Sequence, residues 1–65
     1  MEIDNKKVEE LARNFLQQHH DVKNIKVVGI KNGIWFVEGE TRSSSGERVR
    51  KLKIDGETGE ILSVE

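Results

Sequence analysis

Asn32-Gly33 lies between two apolar runs, Ile25 to Ile30 and Ile34 to Val37. Both central residues of a type I′ turn need positive φ, and Asn-Gly meets that need with little strain. The dipeptide therefore predicts a two-residue hairpin loop joining strands over residues 24–31 and 34–41. A literal two-residue loop also sets a register, because side chains alternate across a strand. Ile30 then opposes Trp35 and Val28 opposes Val37, all on one face. Ile25, Val27, Ile34 and Phe36 fall on the other, with Gly29.

Upstream of the hairpin, Val8, Leu11, Ala12, Phe15 and Leu16 recur at i, i+3, i+4, i+7 and i+8. That spacing makes one apolar stripe on a helix, predicted over residues 4–20. Asp4 is placed to cap it, since a carboxylate accepts an orphan N–H of the first turn. Ile3 and Val8 then have the spacing of a hydrophobic staple. His19 and His20 fall in the last turn, where a protonated imidazole complements the helix dipole.

Downstream, Arg42-Ser43-Ser44-Ser45-Gly46 reads as a polar loop. A third strand over 48–54 can pair Leu52 with Val37 and Ile54 with Trp35, setting Glu38 across from Lys51. A one-step slip pairs Glu38 with Arg50 and Glu40 with Arg48. Exposed ion pairs contribute well under about 1 kcal/mol each, so the apolar register is preferred. Asp55 to Glu60 forms a second tight reversal with Gly59 in the left-handed position of a three-residue loop. A fourth strand, 60–64, sets Leu62 opposite Ile54 and Val64 opposite Leu52. The expected fold class is α+β, one N-terminal helix on a four-stranded antiparallel meander within a single domain, residues 1–65. Its expected core is Val8, Leu11, Phe15, Leu16, Val28, Ile30, Trp35, Val37, Leu52, Ile54, Leu62 and Val64.

The chain has 65 residues and no cysteine, so neither disulfides nor cysteine-bound zinc can brace so small a core. Apolar residues make up 34% and charged residues 35%, yet net charge is only −1 and the apolar positions are periodic. This is the pattern of a folded domain with a solvated surface, and not of a dedicated polyanion binder. No stretch has the length of a membrane span, so no membrane partner is expected. If Met1 is the natural start, the chain is expected to be cytoplasmic.

From Leu52 the sequence runs Leu-Lys-Ile-Asp-Gly-Glu-Thr-Gly-Glu-Ile-Leu-Ser-Val. This segment resembles the closing hairpin of the PepSY family, of the form Val-Asp-x-x-Thr-Gly-Glu-Val-Leu. The preceding helix and the Trp35-x-Val37 pair are similar too. The distinctive part covers about ten residues, at Asp55, Thr58, Gly59 and Glu60. The resemblance implies a helix followed by strands, and a peptidase-related partner. It brings no catalytic residues with it.

The chemically active side chains form no constellation. His19 and His20 are adjacent, and neighbouring helical side chains diverge by about 100°. Only Asp21 or glutamates could complete a metal site there, and a solvated helix end is the expected role. Ser43, Ser44 and Ser45 have no histidine–acid pair beside them in sequence. Glu38 and Glu40 share an exposed strand face without the burial that tunes a catalytic acid. No enzymatic activity, metal or cofactor is expected.

Two surfaces remain. A helix of about 16 residues covers one face of a sheet and leaves the second open. Ile25, Val27, Ile34, Phe36 and Val49 are expected there, as a contact surface for another protein or for a second copy in a homodimer. A β-bulge at Val27-Val28 or Gly29 is the alternative, and it would return Ile25 to the core. The runner-up function is RNA or single-stranded nucleic-acid binding through Arg42, Arg48, Arg50, Lys51 and Lys53.

Overall fold

The computed structural model of the chain describes residues 4–65. Helix α1 spans Asn5–Gln17, and four strands follow: β1, Asp21–Lys31; β2, Ile34–Ser43; β3, Gly46–Asp55; and β4, Ile61–Val64. They form one antiparallel sheet in the order β1-β2-β3-β4, with α1 laid across β1 and β2. The α+β meander expected from the sequence is the architecture found.

Asp4 caps the helix as anticipated, its carboxylate accepting from the Lys7 N–H at 2.8 Å. The proposed staple residue Ile3 lies outside the described residues. Val8, Ala12 and Leu16, each four residues apart, are buried along one line of α1. The helix ends at Gln17, not at residue 20. Both the His19 and His20 N–H groups donate to the Leu16 carbonyl, at 3.1 and 2.8 Å, so the two histidines form a turn. β1 starts at Asp21, three residues before its expected start, because Asp21, Val22 and Asn24 all find partners on β2.

The Asn32-Gly33 reversal forms, with φ of 53° and 76°. Ile30 opposes Trp35 as expected. The register then breaks. Val27, not Val28, opposes Val37, and Val28 is the unpaired residue of a bulge before the Gly29–Phe36 pair. A second bulge at Lys23 separates the Val22–Thr41 and Asn24–Glu40 pairs. The physical reason lies in what a bulge-free strand would bury. Alternation from Val28 would send Lys26 and Asn24 toward the helix, and a buried lysine without a partner is costly. The first bulge substitutes Val27 and Ile25, and the second restores Val22. Ile25 is thereby buried at 7% exposure, while Val28 and Ile30 stand 56% and 51% exposed. Val28 and Ile30 are therefore removed from the expected core.

β2 and β3 pair without interruption, Val37 with Leu52, Trp35 with Ile54 and Glu38 with Lys51, the register preferred from sequence. The segment expected to be a loop, Arg42–Gly46, is mostly strand. β2 runs to Ser43, β3 starts at Gly46, and only Ser44-Ser45 turn between them. Gly46, the first residue of β3, takes a φ of 125° directly after this turn, and the Ser43 hydroxyl donates to the Gly46 carbonyl at 3.2 Å.

In the last hairpin the Asp55 carboxylate accepts from the Glu57 and Thr58 N–H groups at 2.8 and 3.2 Å. Gly59 takes the left-handed conformation at φ 79°. Val64 opposes Leu52 as expected, but Ile61, not Leu62, opposes Ile54, with a register shift between them. Leu62 and Val64 are exposed, and this corrects two more expected core positions. The buried core is Val8, Ala12, Leu16, Ile25, Val37, Leu52 and Ile54, with Leu11, Phe15, Val22, Val27, Trp35 and Ile61 packed against it.

Candidate functional site: the open sheet face

Alternation on β2 decides which side chains α1 leaves uncovered. Trp35 and Val37 pack on the core side, with buried Gly39 and Thr41 continuing the row. Ile34, Phe36, Glu38, Glu40 and Arg42 therefore stand on the opposite face. Ile34 and Phe36 are half-buried by their cross-strand neighbours, and Val49 on β3 is 57% exposed. These three match the surface expected from sequence. Ile25 and Val27 do not, because the bulge at Val28 turns them toward the helix.

Charge rows cross the rest of this face. Lys26, Glu38 and Lys51 align across three strands, as do Asp21, Arg42 and Glu47. Phe36 pairs with Lys53, whose Nζ lies 5.9 Å from the ring centroid. That contact is a cation–π interaction of about 0.5–1 kcal/mol at an exposed site. At the far end Glu47 gathers two cations, Lys23 Nζ at 3.0 Å and Arg42 Nη2 at 3.4 Å. The Lys23 bulge is what gives that side chain its reach over β2 to β3. Hydrogen bonding and charge from Lys23, then from Arg42, hold the Glu47 carboxyl below the usual carboxylate range. Lys23, the key partner in this network, had no sequence signal, since a residue's position in a bulge is not visible from alternation alone.

The five cations of the nucleic-acid alternative do not share a surface. Arg48 and Arg50 pair with Thr41 and Gly39 and so stand on the helix side. Lys51 and Lys53 stand on the open face, and Arg42 is engaged by Glu47. Phe36 is the open face's aromatic, without a second ring beside it for successive bases to stack on.

A shallow depression of about 310 Å³ at the β2–β3 rim is lined by Glu40, Glu47, Arg48 and Val49. Its carboxylates face open solvent. His19 and His20 contact each other edge to face with ring centroids 6.4 Å apart. Among the described residues no group of three or more His, Cys, Asp or Glu side chains could hold a metal ion, and no helix is long and apolar enough to cross a membrane. The chain matches no protein-family model, no curated protein and no solved structure.

Proposed function

We propose that this chain is a non-enzymatic protein-binding module that acts through its open sheet face, and that a second copy of the chain is the partner it meets there. The observation that carries this reading is the one-sided cover of the sheet. α1 lies over β1 and β2 on the core side, and Ile34, Phe36 and Val49 are left on the other. Apolar side chains on an uncovered sheet face gain from burial at about 25 cal/mol per Å².

Charge balance favours a second copy as the occupant. The Lys26–Glu38–Lys51 row has a positive excess and the Asp21–Arg42–Glu47 row a negative one. Together the two rows carry three cations and three anions, so two copies meet face to face without net charge repulsion. A small, cysteine-free core also gains stability when its second face is covered.

Sedimentation equilibrium over a range of concentrations tests the reading. The expected result is a mass rising toward twice that of the monomer, with Phe36→Glu remaining monomeric and folded by circular dichroism. A wild-type chain that stays monomeric at millimolar concentration overturns it.

A further inference from the structure

β3 is paired on its β2 side along its whole length, Gly46 to Asp55. On its other side β4 pairs only with Leu52, Lys53 and Ile54, and Glu65 extends the contact to Lys51. The Lys51 N–H and carbonyl both bond to Glu65, at 3.3 and 2.8 Å, so the main-chain groups of Lys51 point away from β2. Alternation in an antiparallel strand sends those of Val49 and Glu47 the same way. The Arg48 carbonyl points toward β2, where it accepts from the Thr41 hydroxyl at 3.3 Å, as that alternation requires. Among the described residues nothing pairs with the outer side of Glu47–Arg50.

The sheet's other edge is built differently. β1 carries two bulges, at Lys23 and Val28, and lysines at 23, 26 and 31. Bulges and lysines are the ordinary means of preventing strand addition. The β2–β3 ladder has no register shift, so the free half of β3 presents a regular row of donors and acceptors.

We propose that Glu47–Arg50 is a strand-addition site for an acidic extended segment of a partner protein, which would continue the sheet in line with β4. The flanking side chains define its chemistry. A residue opposite Arg48 or Arg50 stands on the helix side, beside a cation. Among the described residues no carboxylate forms an ion pair with either arginine, and the buried Arg50 Nε has no hydrogen-bond partner. A residue opposite Val49 stands on the open face, over an exposed apolar side chain and the depression lined by Glu40 and Glu47. The fitting segment therefore alternates acidic and apolar residues. Pairing this edge with its own copy would instead set arginine against arginine, which disfavours self-addition. Main-chain bonds would supply affinity and the alternating side chains specificity.

The test is a titration of the full chain with the blocked peptide Glu-Val-Glu-Val-Glu, followed by amide NMR. Antiparallel addition in the β4 register places its glutamates opposite Arg50 and Arg48 and its valines opposite Val49 and Glu47. Slowed hydrogen exchange is expected at the Val49 and Glu47 amides, which would gain partners. Two peptides of equal charge and mass separate strand addition from simple attraction. N-methylation at both valines removes the inward donors and should weaken binding at least tenfold, while N-methylation at the first two glutamates should leave it within about twofold. Charge reversal at Arg48 and Arg50 should abolish binding. Equal affinity for the two methylated peptides, absence of binding, or perturbation centred on Phe36 in place of Val49 would each overturn the proposal. Self-association through the open face is read separately, by mass, on the chain without peptide.

Discussion

The Gly56 N–H donates to the Gly33 carbonyl at 2.8 Å, tying the β1–β2 turn to the start of the β3–β4 turn. The bond extends the β2–β3 ladder one step past the Ile34–Asp55 pair. Two hairpins that are separate in sequence are thereby locked at one end of the sheet. A Cβ on Gly56 would stand 2.7 Å from that carbonyl oxygen, closer than real Cβ atoms come. Gly56→Ala is therefore expected to cost about 1–3 kcal/mol through overpacking and a lengthened bond. Urea denaturation measures it, and an unchanged midpoint would count against the contact.

Gly39 makes the second obligatory close approach. A Cβ there would lie 2.5 Å from Leu16 Cδ1 and 3.1 Å from Ile25 Cδ1, so the missing side chain lets α1 settle on β2. Gly39→Ala is expected to destabilise by about 1–3 kcal/mol through overpacking. Leu16→Ala, at 1% exposure, should cost about 2–5 kcal/mol through the cavity left behind. The paired variant Gly39→Ala with Leu16→Ala should cost less than the sum of the two, because the smaller side chain relieves the overlap.

The meander, the Asn32-Gly33 reversal and the β2–β3 register were all readable in the residues. Turn chemistry and strict alternation act locally, and β2 and β3 obey both. The straight register of the edge strands does not hold, and in β1 the alternative weighed from sequence, a bulge at Val27-Val28 that returns Ile25 to the core, is the one found. A clue was present in β1: the straight register placed Lys26 and Asn24 on the face meant for the helix. That conflict marks a bulge, and adjacent Val27-Val28 is where apolar residues are interchangeable. At β4, Ile61-Leu62 presents the same ambiguity. Ile34, Phe36 and Val49 stand on the open face as expected because they sit on strands without a bulge of their own, and Ile25 and Val27 turn toward the helix with the bulge at Val28.

Truncation can check the bulge directly. Ile25→Ala is expected to destabilise by about 2–4 kcal/mol, as a buried aliphatic residue does. Val28→Ala, at an exposed bulge position, should stay within about 0.5 kcal/mol. Similar costs for the two substitutions in thermal or urea melts would contradict the register.

Glu47 provides a pH signature. Its carboxyl is lowered in the folded chain, so the stabilisation it brings is present above its unfolded pKa and is lost as pH falls through the lower, folded value. Because the group is solvent-exposed, salt screens it and the effect on stability is small. The direct reading is the carboxyl carbon shift followed by NMR. Lys23→Ala should move the titration of Glu47 upward more than Arg42→Ala does, since Lys23 makes the shorter contact. An unmoved titration in Lys23→Ala would remove the bulge-borne lysine from the network.

The proposed contact between copies is tested most directly by isotope-filtered NOE spectroscopy on an equimolar mixture of labelled and unlabelled chain at high concentration. Intermolecular NOEs linking the Phe36 ring to Ile34 and Val49 methyls are expected, with none from Val8, Leu16 or Leu52. Intermolecular NOEs confined to Val28, Ile30 and Leu62, or none at any concentration, would contradict the account.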